Sequence, residues 1–269
     1  MSSVRFVKAQ AAGNDFLILE EAVAGRRHAE IAKALCARNT SIGADGIEFL
    51  ERKSNGEFFL RLFNADGGEA ELSGNGTRCV AAWLAQSEGV MESAFGTHGG
   101  MRTCRVIEAN PPHFQIEGAM GVPRIMERAI LIEGAGVVEG AMVNMGNPHF
   151  VVFVESGDFS AQELSWQELG AKISTSPLFA FGTNVELVRV VAPDNIEFRI
   201  FERGCGPTTS SGTGTCASAT AAIALRGCAR ELTAIAEGGA QRVLWPANDA
   251  PMLLTGPAEI ICAGEVFAA

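Results

Sequence analysis

The sequence predicts an α/β (α+β) protein of two similar halves, each wrapping strands around one central helix. Three observations predict it. Segments recur at a constant offset of 138 residues: Ile47-Glu48-Phe49-Leu50 with Val185-Glu186-Leu187-Val188, Arg61-Leu62-Phe63 with Arg199-Ile200-Phe201, and Ser73-Gly74-Asn75-Gly76-Thr77 with Ser211-Gly212-Thr213-Gly214-Thr215. Three matches in one register point to a duplicated design. Each half also runs strand, turn, serine, Gly-rich step and apolar run in the same order. The two apolar runs are rich in alanine, which favours helix, and a helix apolar all round is buried.

In chain order, Val4-Arg5-Phe6-Val7 alternates like a strand. Ala29 to Arg38 has the mixed character of a surface helix. Phe58 to Phe63 is aromatic and strand-like, and Asn64-Ala65-Asp66-Gly67-Gly68 is a turn. Cys79 to Leu84 belongs to the first central helix. Phe114-Gln115-Ile116 is a further strand, and the Gly-rich passage Gly118 to Pro123 suits a junction between halves. Phe150 to Val154 and Ile196 to Phe201 are strands of the second half. The turn Glu202 to Pro207 follows, and Cys216 to Leu225 forms the second central helix. The halves are thus placed at 1–118 and 119–259. A further pair, Gly13-Asn14 and Gly146-Asn147, repeats at an offset of 133, as a small insertion would produce.

Composition narrows the function classes. The 269 residues are 47% hydrophobic, which suits a packed globular chain. With 31 acidic and 21 basic residues the net charge is -10, so a nucleic-acid partner is not expected. No long apolar run opens the chain or occurs within it, so neither a secretory signal nor a membrane span is expected. The seven cysteines are odd in number, widely spaced and contain no C-x-x-C, which suits reduced thiols in a cytoplasm. The four histidines lack metal-ligand spacing, so no metal is expected.

The chemistry-bearing feature is the duplicated Ser-Gly-x-Gly. Ser73 and Ser211 stand where the helices begin, and one reading is that they are caps for orphan backbone N–H groups and nothing more. Glycine also lets a ligand approach the backbone, and the free N–H groups with the helix dipole favour an anion. Neither copy ends in the Lys-Ser/Thr of a phosphate loop, and neither serine has glycine two positions before it, as a nucleophile elbow needs. Two such ends could converge on one small carboxylate ligand. Inverting a stereocentre without a cofactor needs a base on one face and an acid on the other. It also needs stabilised carboxylate oxygens, which helix N-termini supply.

Several further segments complete a pattern: Ala12-Gly13-Asn14-Asp15-Phe16, Gly43-Ala44-Asp45-Gly46, Phe63-Asn64-Ala65-Asp66-Gly67, Gly74-Asn75-Gly76-Thr77-Arg78-Cys79, Met145-Gly146-Asn147-Pro148-His149, Thr183-Asn184-Val185 and Glu202-Arg203-Gly204. With Ser211-Gly212-Thr213-Gly214 they run in order over nearly the whole chain, and together they resemble diaminopimelate epimerase, a family of cofactor-independent amino-acid epimerases. The resemblance implies two pseudo-symmetric domains, each a β-barrel-like sheet around a central helix, with the site in the interdomain cleft. It also implies that the chain end, from about 260 to 269, returns to the first domain, and that the protein is a homodimer without a cofactor. Its family roles fall on Asn14, Asn64, Asn147, Asn184, Glu202 and Arg203 as substrate contacts, most of them to the distal amino-acid end. Gly74, Asn75, Gly212 and Thr213 match donors to the reacting carboxylate, and His149 and Glu202 match helpers of the two catalytic groups.

The family's two acid/base cysteines match Ser73 and Ser211, so this chain departs from the pattern at both catalytic positions. The resemblance implies epimerisation of LL- and meso-diaminopimelate, on the route to lysine, with the two serines as acid and base. Two alternatives stay open: a substrate-binding pseudoenzyme, and an isomerase or dehydratase of the same fold acting on another small acid. Cys79 and Cys216 lie inside the apolar runs as core thiols, and Asp45 and Asp66 read as structural.

Overall fold

The computed structural model describes residues 3–54 and 56–267. The chain divides into two compact units, one holding residues up to 118 together with those from 255 onward, the other residues 119–254.

The first unit contains β1 (Ser3–Ala11), β2 (Asn14–Glu20), a 3-10 turn (Glu21–Val23), α1 (His28–Cys36), β3 (Gly46–Arg52), β4 (Phe58–Asn64), β5 (Glu69–Ala70), α2 (Gly74–Glu88), β6 (Glu92–Thr97), β7 (Gly100–Asn110) and β8 (His113–Ala119). The second contains β9 (Arg124–Ile132), β10 (Gly136–Asn144), β11 (Pro148–Phe153), α3 (Trp166–Ser174), β12 (Asn184–Ala192), β13 (Asn195–Glu202), β14 (Gly206–Thr208), α4 (Gly212–Arg226), β15 (Glu231–Ala236) and β16 (Gly239–Leu244). The last strand, β17 (Leu253–Phe267), lies almost wholly in the first unit.

In the first unit β1-β2-β3-β4-β6-β7-β8-β17 pair in that order, and β17 returns to β1. Closure leaves no open edge in this eight-stranded barrel. Its interior is filled by α2. Cys79, Val80, Ala81, Ala82 and Leu84 are all buried there, against Phe16 and Ile18 of β2, Leu50 of β3, Leu60 and Leu62 of β4, Phe95, Phe114 and Ile116. The small alanines explain why a helix fits inside a barrel. Alternation along β3 sends Leu50 inward and Ile47 and Phe49 outward, onto α1.

The second unit repeats the plan. Its sheet runs β10-β11-β12-β13-β15-β16 with antiparallel, parallel, antiparallel, parallel and antiparallel pairings. That is the sense of β1-β2-β3-β4-β6-β7. α4 fills its core with Cys216, Ala217, Ala219, Ala221 and Ala222, while Leu169 and Ile173 of α3 pack on the outer face of β12. Both central helices have 15 residues, begin after a serine and end on a left-handed glycine, Gly89 or Gly227. A side chain would strain both of those stops.

Candidate functional site

Each central helix starts from the same local structure. Ser73 is extended, and its hydroxyl accepts the Gly76 N–H at 3.1 Å. Ser211 is extended, and its hydroxyl accepts the Gly214 N–H at 3.3 Å. Thr77 and Thr215 each donate to the carbonyl of their serine at 2.7 Å, which stiffens the turn. Ser73 is half-buried and Ser211 is 8% exposed. The remaining first-turn N–H groups and the helix dipole make each start electropositive.

In the first unit Asn14, at the head of β2, is fixed by Asp45, whose carboxylate accepts its amide at 2.5 Å. Asp45 also accepts the Asp15 N–H, and Arg38 binds both carboxylates, at 2.7 Å to Asp15 and 2.6 Å to Asp45. The guanidinium and Lys8 hold the Asp15 carboxyl below its ordinary range against the opposing effect of burial. The Asn14 carbonyl is left to accept from the Asn75 amide at 3.4 Å, and Asn75 in turn accepts from Arg78. Asn64 stands exposed at the end of β4. Asp66 caps the turn beyond it through the Gly68 N–H.

The second unit builds a different arrangement on the same frame. His149 on β11 is 1% exposed and Glu186 on β12 fully buried. Nδ1 of the imidazole lies 2.6 Å from Glu186, and Nε2 lies 3.0 Å from the Asn147 carbonyl. The Asn147 amide donates to the Thr213 hydroxyl at 3.3 Å, so a polar chain runs from Glu186 to the first turn of α4. Asn184 opens β12, and its carbonyl accepts the Arg203 N–H at 2.9 Å. The Arg203 guanidinium is exposed and donates to the Phe181 carbonyl. Glu202 ends β13, half-buried, and accepts from Thr208 at 2.5 Å. Burial pushes the carboxyls of Glu186 and Glu202 up; the neighbouring His149 draws Glu186 back, and the Thr208 hydrogen bond draws Glu202 back.

Within each unit the expected residues therefore cluster at the helix starts: Asn14 with Asn75, Ser73 and Gly74, and Asn147 and His149 with Thr213, Gly212 and Ser211. Asn64 makes no side-chain hydrogen bond to the others among the described residues. Cys205 lies in the exposed turn after Glu202. Among the described residues no group of three or more His, Cys, Asp or Glu could hold a metal, and no helix is long and apolar enough to cross a membrane.

Sequence reasoning missed Glu48 and Glu186 as site residues. The signal was present: both are charged residues at the same point of the repeat, inside otherwise apolar strands. They occupy equivalent places beneath the two helix starts. A Cβ on Gly76 would run into the Glu48 carboxyl, with Cδ at 2.9 Å and Cγ at 3.0 Å, and one on Gly214 would stand 2.9 Å from the Glu186 oxygen and 2.5 Å from Ile200. The second glycine of each Ser-Gly-x-Gly thus makes room for a buried acid. Gly76→Ala is expected to cost about 1–3 kcal/mol by overpacking, read as a lower thermal midpoint.

Comparison with known proteins agrees with this duplicated architecture. The family model described as diaminopimelate epimerase matches residues 6–126 and 141–261. The chain is 36% identical to the diaminopimelate epimerase of Microcystis aeruginosa, over 97% of this chain and 98% of that one. It is 35% identical to that of Nostoc punctiforme, over 98% and 100%. Among solved structures, a protein of Pseudomonas aeruginosa described as a predicted epimerase superposes with a TM-score of 0.72 at 14% identity, covering 99% of this chain and 100% of that one, which shows the shared fold. Two matched blocks and identity spread over almost the full length show that the chain belongs to the diaminopimelate epimerase family, whose members are isomerases.

Proposed function

We propose that the protein interconverts LL- and meso-diaminopimelate by cofactor-independent two-base proton transfer, with Ser73 and Ser211 as proton donor and acceptor. The observation that carries this reading is the duplicated helix start: twice, a serine hydroxyl stands beside free first-turn N–H groups on a buried helix. The N–H groups of Gly74 and Asn75, and of Gly212 and Thr213, would hold the reacting carboxylate and stabilise the charge that develops when the α C–H bond breaks. One serine, starting as the alkoxide, takes the α-proton and becomes the hydroxyl, while the other, starting as the hydroxyl, delivers its proton to the opposite face of the carbanion and is left as the alkoxide. Asn14, Asn64, Asn147, Asn184, Glu202 and Arg203 would hold the distal amino-acid end. Arg203 suits its carboxylate bidentately, and Glu202 suits its ammonium. His149 and Glu202 would assist the acid/base pair. The relatives' names support this substrate, and a cytoplasmic homodimer serving lysine synthesis is the setting it implies.

One observation favours the second reading, a binding protein without turnover. Each serine oxygen accepts a backbone N–H, and among the described residues neither has a side-chain base within hydrogen-bonding distance. Proton NMR of LL-diaminopimelate with the protein in D2O separates the readings. Loss of the α-proton signal with formation of the meso form is the expected result for an epimerase. Demonstrated binding with an unchanged spectrum would establish the binder. Turnover confined to hydroxylated or unsaturated acids would move the activity to another isomerase or dehydratase reaction.

A further inference from the structure

The inner face of the first barrel holds a carboxyl that the proposed reaction does not use. Glu48 is 2% exposed, and its Oε1 has no hydrogen-bond partner. Its cross-strand neighbours are Ile18 on β2 and Leu62 on β4, both apolar. On α2 it packs against Gly76, in the first turn, with Arg78 and Cys79 the titratable groups of the next residues. Asp15 is an acid at the head of β2, and the His28–Glu21 pair lies on the outer face, with His28 against Phe49 and Phe63.

The second unit shows what a buried acid at this place normally has. Glu186, its counterpart under α4, is paired with His149. In register, His149 stands opposite Asn184 as Phe16 stands opposite Gly46, so the first unit has a phenyl ring where the second has the imidazole. Glu48 therefore lacks the imidazole partner that Glu186 has.

We propose that Glu48 is a positioning residue for a carboxylate at the N-terminus of α2, leaving the first-turn N–H groups to that anion only while it keeps its own proton. The inference rests on reading this helix start as a carboxylate site. Burial pushes the Glu48 carboxyl up to about 8, so it is neutral at neutral pH. Above that, an ionised carboxylate lies against the positive end of the helix, satisfies its field and repels a second anion.

The test is acetate binding to the intact protein, followed through the carbon-detected backbone carbonyl and nitrogen signals of Gly74, Asn75 and Gly76, which survive amide-proton exchange in alkali. In the wild type the apparent affinity is expected to fall about five-fold or more between about pH 6.5 and about pH 9.5. In Glu48→Gln it is expected to stay level. A merely structural Glu48 would leave the wild-type affinity unchanged over this range, and that result overturns the proposal, as does failure of acetate to shift these backbone signals at the lower pH. The wild-type arm decides even where the variant does not fold. Running meso-diaminopimelate in parallel keeps the two questions apart. Acetate gating without diaminopimelate binding at any pH sinks the substrate assignment and upholds the role of Glu48.

Discussion

Ser73→Cys combined with Ser211→Cys is expected to raise the rate of α-proton exchange from LL-diaminopimelate by up to about a million-fold. The reasoning starts from acidity. A thiol has an ordinary pKa near 8.5, and a helix N-terminus lowers it, whereas a serine hydroxyl is weaker by about six units, roughly 8 kcal/mol at 1.36 kcal/mol per unit. At 1.36 kcal/mol per tenfold, that difference corresponds to about six decades in rate. The surroundings suit the change: the N–H groups of Gly76 and Gly214 already point at the serine oxygens and would stabilise a thiolate in the same place. Each single substitution is expected to give only a small part of the gain, because the reaction needs a competent donor and a competent acceptor in both directions. Exchange of deuterium into the substrate, followed by NMR, measures it. A doubly substituted protein that binds diaminopimelate and stays inert would show that more than the acid/base pair separates this chain from an efficient epimerase.

The other large effect concerns stability. His149→Ala is expected to destabilise the second unit by about 3–5 kcal/mol, because it strands Glu186 in a closed, apolar interior. Glu186 has one hydrogen bond, to the imidazole, and its Oε2 has no partner. At about 2–4 °C per kcal/mol for a chain of this size, the thermal midpoint should fall by roughly 10 °C. The loss has a pH signature. Without the imidazole, the folded-state Glu186 carboxyl rises further above its unfolded value, so the stability present in acid is lost as the pH climbs. The deficit of the variant is therefore expected to be largest in mild alkali and to shrink toward acid. His149→Phe is a sharper control. It reproduces the Phe16 arrangement of the first unit, fills the space, and should cost less than alanine. A thermal midpoint insensitive to His149→Ala would mean that the pair carries no structural weight.

Much of the fold was legible because the repeat is exact in spacing. The two alanine-rich runs mark α2 and α4, and the 138-residue offset holds from the capping serine to the terminal glycine of each. Strand-like Phe58 to Phe63 and Ile196 to Phe201 correspond to β4 and β13. The strands β6, β7, β15 and β16 were among those not singled out, because each buries only two or three side chains and so carries little apolar signal. The helix from Ala29 was also shifted slightly: α1 ends at Cys36, and Arg38 is drawn out of it to bridge Asp15 and Asp45.

For the site, the sequence named the candidates, partly by local pattern and partly by resemblance. Ser73 and Ser211 could be named because Ser-Gly-x-Gly is a local signal and it recurs, whereas Asn64, Asn184, Glu202 and Arg203 were named through the resemblance to the family. What surrounds them could not be read that way. That Asp45 turns the Asn14 amide, that Arg38 lies between two carboxylates, and that Phe16 replaces the His149 imidazole beneath the other helix are matters of strand register and barrel closure. Glu48 and Glu186 make the contrast plain. They are the same residue at the same point of the repeat, so the sequence determined their equivalence. Only the tertiary structure decided that one is paired with an imidazole and the other is not, because a buried carboxyl answers to whichever side chain the neighbouring strand brings to it.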